Sequence, residues 1–185
     1  MRIEIISGSP RAKTVTYRLA LFLQKTLQAR TDHEIGIIDL REHNLPLIES
    51  VFTSVEGTPE PYKALSQRMF AAQAFILVTP EYNGSYTPAM KNLLDHFPKQ
   101  CRKVFGIATA SLGALGGMRA AISLQQLIFA LFGIGSPYML LTPAVDKKFD
   151  TDGNLLDASF QKSVDVFVNE FLWLADKVVD EKIEA

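Results

Sequence analysis

The chain has 185 residues, 48% of them hydrophobic, which is enough for one globular domain with a sizeable core. Its 19 Lys and Arg against 20 Asp and Glu leave a formal net charge of −1, so no bulk field draws in nucleic acid or an anionic membrane, and any anion site must be local. The single cysteine, Cys101, excludes an internal disulfide framework and a thiolate metal cluster, and is expected to be a buried free thiol.

In chain order, Ile3–Ser7 reads as the first strand and Thr16–Ala29 as the first helix, with Leu19, Phe22, Leu23 and Leu27 at helical spacing. The N-terminus turns polar by Ser7, too early for the apolar core of a signal peptide. Strand Glu34–Asp39 follows, then Asn44–Pro61, a long loop marked by Pro46, Gly57, Pro59 and Pro61. Loops of that length in compact domains often carry function. Next come helix Pro61–Ala72, strand Ala74–Thr79, helix Pro88–Phe97, strand Lys103–Thr109, helix Gly117–Phe132, strand Pro137–Ala144, and an amphipathic stretch from Ala158 to Lys182. Apolar runs such as Phe75-Ile76-Leu77-Val78 suit strands covered on both faces. Alternation of this kind predicts a single domain over 1–185, an α/β fold of three layers with a parallel sheet of five strands. The apolar stretch Ala121–Ile134 is broken by Ser123, Gln125, Gln126 and Gly133 and cannot span a bilayer, so a cytoplasmic location is the default expectation.

Three polar loops sit at strand carboxyl ends, where open parallel sheets bind ligands. In the first, Ser7-Gly8-Ser9-Pro10-Arg11, Gly8 permits a tight turn and Ser9, Thr14 and Thr16 offer hydroxyls. Arg11 adds a cationic fork, and the next helix adds free N–H groups. These suit a phosphate, although the loop is neither a Walker A sequence nor a Gly-x-Gly-x-x-Gly fingerprint. The competing reading is a plain turn with Thr14 or Thr16 as a helix cap. The second loop, Thr79-Pro80-Glu81-Tyr82-Asn83-Gly84-Ser85, supplies amides, an aromatic and close backbone approach, which suit a flat ring. Glu81 reads as a loop-bracing or solvated carboxylate, and Asn92 as a brace from the following helix. The third loop, Ala110 to Gly117, carries Ser111 and the glycines Gly113, Gly116 and Gly117.

Ser7-Gly8-Ser9-Pro10-Arg11 with Thr14, Pro80-Glu81-Tyr82-Asn83 with Pro88 and Lys91-Asn92, Gly113-Ala114-Leu115-Gly116-Gly117 with Arg119, and Phe149-Asp150-Thr151-Asp152-Gly153 together resemble the NADPH-dependent FMN reductase family. The resemblance runs through most of the chain in the expected order, and the Pro-Glu-Tyr-Asn element is its most specific part. It implies a flavodoxin-like fold with sheet order 2-1-3-4-5 and helices on both faces. It also implies non-covalently bound FMN, NADPH or NADH as donor, and a small-molecule acceptor such as a flavin, quinone, azo compound or metal oxyanion. Donor and acceptor would take turns at the cofactor in a ping-pong order, in a homodimer or homotetramer that engages neither nucleic acid nor membrane. Residue by residue, the resemblance puts Ser9, Arg11, Thr14 and Thr16 on the FMN phosphate. It puts Pro80, Glu81, Tyr82 and Asn83 along the ring, and Ser111 and Gly113 at the ring's other edge. The chain departs from the family pattern at Pro88-Ala89, at Asp95-His96, and in having Thr14 and Thr16 where serine and asparagine are common.

No side chain is expected to act as nucleophile or general base, since no nucleophile-elbow sequence is present. His33, His43 and His96 lack paired ligand spacing, so no metal site is expected. Arg119 is open to three readings: contact with the nucleotide's phosphate, a pair across a subunit boundary, or a solvated helix arginine. Two rival classes are an electron carrier with a protein partner, and a flavin-binding regulatory module with little turnover. Near-neutral charge and Arg11 argue against the first.

Overall fold

The computed structural model describes residues 1–180. Six strands form one parallel sheet: β1 (Arg2–Ser7), β2 (Glu34–Asp39), β3 (Ala74–Thr79), β4 (Val104–Ala110), β5 (Ile134–Gly135) and β6 (Leu140–Thr142). The order is β2-β1-β3-β4-β5, with β6 also pairing with β4. Parallel neighbours force crossovers, and these are made by α1 (Thr16–Arg30), α2 (Lys63–Ala71), α3 (Pro88–Asp95) and α4 (Met118–Ala130), followed by α5 (Val145–Lys148) and α6 (Gln161–Asp180). The end of the predicted last helix, at Lys182, lies outside the described residues.

The three layers follow from where the apolar side chains go. Ile3, Ile5, Ile76 and Val78 pack against Leu19, Leu23 and Leu27 of α1 and Phe167 and Phe171 of α6. The alternate residues Ile6, Phe75, Leu77 and Phe105 pack against Leu65 of α2, Leu93 and Leu94 of α3, and Leu124 of α4. β3 and β4 are buried along their whole length, as expected for strands covered on both faces. Glu4 is the exception to an apolar β1. It is fully buried, and Arg68 meets both its carboxylate oxygens while Arg2 Nε donates to Oε1 at 3.0 Å. A buried carboxylate needs such pairing to stay charged.

Two local expectations differ from the structure. Of the predicted strand Pro137–Ala144 only Leu140–Thr142 joins the sheet, and a further short strand, Ile134–Gly135, lies before it; Pro137, between the two, has no N–H to give the ladder. Cys101 is exposed rather than buried, because it lies in the turn before β4 beside Arg102, whose φ is 61°.

Candidate functional site

The carboxyl ends of β1, β3 and β4 bring the three loops to one sheet edge. A cleft of about 270 Å³ opens there between the loop after β1, the start of α1, and the loops after β3 and β4. Ser9, Arg11, Thr14, Thr16, Pro80, Glu81, Tyr82 and Ser111, all anticipated from the sequence, line it together. Asn83 and Gly113 do not.

Each wall has a local cause. Gly8 N–H donates to the Val78 carbonyl at 2.8 Å, and a Cβ on Gly8 would sit 2.4 Å from Met90 Cε, so a larger residue there would have to displace the end of the Met90 side chain on α3. Thr87, fully buried, caps α3: its hydroxyl oxygen accepts from Met90 N–H at 3.2 Å and its O–H donates to the Gly8 carbonyl. One side chain thereby ties the first loop to the helix that follows the second. The Tyr82–Ser85 turn is a two-residue hairpin in which Tyr82 and Ser85 exchange both backbone bonds, at 2.8 and 3.0 Å. Asn83 and Gly84 take φ of 50° and 84°, the left-handed pair that Asn-Gly favours. Asn83 is therefore a turn residue facing solvent, while Tyr82 is turned inward.

Glu81 braces, as its loop position suggested. Its carboxylate accepts from Arg119 N–H at 3.1 Å in the first turn of α4, and its other oxygen lies 3.6 Å from the Arg119 guanidinium. That contact joins the second loop to the third and gives Arg119 an intramolecular partner. In the third loop the Gly116 carbonyl accepts from Thr109 Oγ1 at 2.6 Å, and Gly117 has φ of 85° with Thr109 Cβ only 2.9 Å from where its own Cβ would be. Gly113 differs, since a Cβ there would meet only Ser111 Oγ, at an unstrained 3.9 Å. Asn92 braces a different loop from the one expected, donating to the Pro46 carbonyl at 2.7 Å after β2.

The end of the cleft nearest α1 suits an anion. α1 has no acidic residue in its first turn and Val15 at its N-cap offers no side-chain acceptor, although Thr14 Oγ1 accepts from Thr16 N–H at 3.2 Å. The helix's positive end lies beside Ser9, which is almost fully buried, and the exposed cations Arg11 and Lys13. Lys13 was not singled out from sequence, and only its spacing from Arg11 could have marked it. The other end suits a ring. The Arg11 guanidinium lies 4.6 Å from the Tyr82 ring centroid, and Tyr82 Oη is buried with no hydrogen-bond partner among the described residues. This oxygen is one of five such atoms among the described residues, and the one that belongs to a side chain lining this cleft. Basic groups beside a helix N-terminus, an aromatic wall and one unpartnered hydroxyl fit the phosphate and the ring of a flavin mononucleotide, with Arg11, over the Tyr82 ring, between the two.

Residues 1–145 match the sequence profile of NADPH-dependent FMN reductases. The chain belongs to the NADPH-dependent FMN reductase family. As a member of that family it is an NAD(P)H-dependent oxidoreductase that uses FMN. It is similar to the FMN-dependent NADPH-azoreductase of Staphylococcus aureus, at 31% identity over 179 residues that cover 93% of this chain and 94% of that one. In three dimensions it is similar to FerB, a flavoenzyme NAD(P)H:(acceptor) oxidoreductase from Paracoccus denitrificans. The TM-score is 0.74 at 22% identity, covering 95% and 97% of the two chains. An oxidoreductase from Corynebacterium diphtheriae gives a TM-score of 0.69 at 18% identity, covering 98% of each chain. These two structures bear out the flavodoxin-like reductase fold anticipated from the sequence.

Burial also shifts two groups that do not line this cleft. Desolvation raises the pKa of the Tyr86 phenol, next to the hairpin, above its ordinary value and lowers that of His43 below it. Both are therefore neutral at pH 7. No helix among the described residues is long and apolar enough to cross a membrane.

Proposed function

We infer that this reductase holds FMN in the cleft between α1 and the Tyr82 hairpin, and passes reducing equivalents from NAD(P)H to a small neutral acceptor such as a quinone or azo compound. The observation that carries this reading is the convergence on one cleft of a helix N-terminus flanked by Arg11 and Lys13 with a buried, unpartnered Tyr82 hydroxyl. When bound, FMN supplies hydride acceptance and donation.

The protein's part is placement. Ser9, Arg11, Thr14 and Thr16, with the first N–H groups of α1, hold the phosphate and satisfy it with charge-assisted bonds. Pro80, Glu81 and Tyr82 and the backbone of the hairpin wall the ring. Ser111 is fixed at the other edge, where its N–H donates to Thr142 O at 3.0 Å and its Oγ donates to Gly113 O at 3.0 Å. No cleft residue is needed as nucleophile or base, because the proton and electron traffic belongs to the cofactor.

We infer further that donor and acceptor occupy the cofactor's face in turn, as the family resemblance implies. The azoreductase name of the Staphylococcus aureus relative favours an acceptor of the azo or quinone kind. A second copy of the chain would cover the exposed apolar side of α4, where Met118, Ile122 and Phe129 recur at helical spacing and Phe129 is 76% exposed. The test is anaerobic stopped-flow absorbance on FMN-loaded protein, first with NADPH and then with a quinone or azo dye. The reading expects bleaching by the first and recovery by the second, with parallel lines in double-reciprocal plots. Flavin that is bound but not bleached would return the chain to the carrier or regulatory class.

A further inference from the structure

The long segment after β2, conspicuous in the sequence, folds against α3 and builds a cleft of about 220 Å³ that shares no lining residue with the flavin cleft. Its walls include the prolines Pro46 and Pro59, the rings of Phe52 and Tyr62, and the imidazole of His96 at the end of α3. These walls are fastened. Asn92 Nδ2 donates to Pro46 O at 2.7 Å, Phe52 N–H donates to His96 O at 2.7 Å, and Thr58 Oγ1 donates to Ser54 O at 2.8 Å. Phe52 is buried, with its ring centroid 5.0 Å from that of His96 and 6.0 Å from that of Tyr62, against which it stacks.

His96 is the polar centre of this cleft, at a position where the chain departs from the family pattern. It is 2% exposed, and its neighbour fixes its tautomer. Nδ1 lies 2.7 Å from the Asn92 carbonyl, which can only accept, so Nδ1 carries the proton. In the neutral ring Nε2 is then a lone-pair acceptor. It has no hydrogen-bond partner among the described residues and remains within reach of solvent. The rest of the cleft leans the same way. The Glu49 carboxylate only accepts, and the Tyr62 O–H is already given to the Asn44 carbonyl at 3.1 Å. No lysine or arginine lines the cleft, so an anion has no partner there. Its volume falls below the about 300 Å³ at which pockets begin to take drug-sized molecules, which limits the occupant to about one ring. Proline and aromatic walls suit a flat one.

We propose that this cleft binds a single aromatic ring carrying an O–H or N–H donor, the chemistry of the acceptor's reduced product, with that donor on His96 Nε2. The oxidised acceptors offer this nitrogen nothing, because quinone carbonyls and azo nitrogens only accept. Uptake of two electrons and two protons turns a quinone into a hydroquinone with two hydroxyls. Cleavage of an azo bond by four electrons and four protons yields two aromatic amines. One lone pair thus separates product from acceptor. The identity of the ligand as a product rests on the flavin-reductase reading, while the site itself rests on His96 and its cleft alone.

Binding tests this without turnover. FMN-loaded wild type, isotopically labelled at its histidine nitrogens, is titrated anaerobically by NMR at about pH 8, where an imidazole is ordinarily neutral. The probes are hydroquinone and aniline, each beside its methylated counterpart, hydroquinone dimethyl ether or N,N-dimethylaniline, which keeps the ring and loses the donors. The chain has three histidines, and the signal missing from His96→Phe is that of His96. The proposal expects hydroquinone and aniline to move the His96 Nε2 resonance upfield to saturation. Each should bind about tenfold more tightly than its methylated counterpart, the scale of one hydrogen bond. In His96→Phe, shown to be folded by circular dichroism, that preference should shrink to within about twofold. An Nε2 resonance that stays in place, equal affinity for free and methylated rings, or a preference that survives in His96→Phe would overturn it. The first two results are read on wild type and need no variant. Failure to retain FMN, or flavin that NADPH does not bleach, would instead count against the reductase reading, and the titrations would still report on this cleft.

Discussion

Replacing Thr87 by alanine removes a cap and a tether in one change. The Thr87 hydroxyl is fully buried, accepts from Met90 N–H at 3.2 Å and donates to the Gly8 carbonyl. Loss of an N-cap oxygen costs about 1 kcal/mol. A buried carbonyl left without its donor adds about 2 kcal/mol, because no water reaches Gly8 to replace it. Thr87→Ala is therefore expected to lose about 3 kcal/mol, or about 6–12 °C in Tm for a chain of this size. Thr87→Ser, which keeps both bonds, should lose less than about 1 kcal/mol. Urea unfolding of the apoprotein measures this directly, with unchanged m confirming that the native and unfolded states are otherwise alike. Because Gly8 sets the course of the loop carrying Ser9 and Arg11, FMN affinity should fall about tenfold in the alanine variant and recover in the serine variant. A Thr87→Ala protein within about 0.5 kcal/mol of wild type would refute the claim that this hydroxyl holds the two loops together.

Other substitutions probe the remaining walls. Tyr82→Phe should leave the apoprotein as stable as wild type or up to about 1 kcal/mol more stable, since the buried hydroxyl has no partner to lose; FMN affinity should drop several-fold. A large loss of apoprotein stability would show that the hydroxyl is already satisfied. Glu81→Gln, whose side-chain carbonyl still accepts from Arg119 N–H, should bind FMN nearly as wild type, whereas Glu81→Ala should bind about five- to tenfold more weakly as the loops lose register. Equal affinities of the two variants would remove Glu81 from the account. Burial lowers Lys103 from its ordinary 10.5 to about 8. Between these values the unfolded chain holds more protons than the folded one, so stability must rise with pH across that window. At 1.36 kcal/mol per pKa unit, and discounted because the ammonium is partly open to solvent, the gain is about 2 kcal/mol. Denaturation at a series of pH values should show it in wild type and not in Lys103→Met.

The sequence carried the architecture because its signals were local and repeated. β2 and β3 could be bounded to the residue, since apolar runs end at Asp39 and at Thr79-Pro80. An Asn-Gly pair such as Asn83-Gly84 favours a left-handed turn, but period and propensity do not say which way Tyr82 and Asn83 point. The hairpin's register sends one into the cleft and the other to solvent. Thr87-Pro88 is a cap followed by proline at the first helical position, a signature legible in the sequence alone. Its tether to Gly8 spans 79 positions of sequence, and such contacts leave no local trace. The bracing of the loop after β2 by Asn92 and the pairing of Glu81 with Arg119 are likewise products of packing between elements. Lys13 gave no motif, and entered the site only because α1 begins beside it.

The central claim is that the α1 end of the cleft holds a phosphate while the Tyr82 hairpin holds the ring. Parallel titration of apoprotein with FMN and with riboflavin, followed by flavin fluorescence, tests it most directly because the two ligands differ only in that phosphate. The account predicts FMN to bind at least about a hundredfold more tightly, the worth of two charge-assisted hydrogen bonds, and the ratio to shrink about tenfold in Arg11→Met. Equal affinity for FMN and riboflavin, or a ratio that Arg11→Met leaves unchanged, would contradict it.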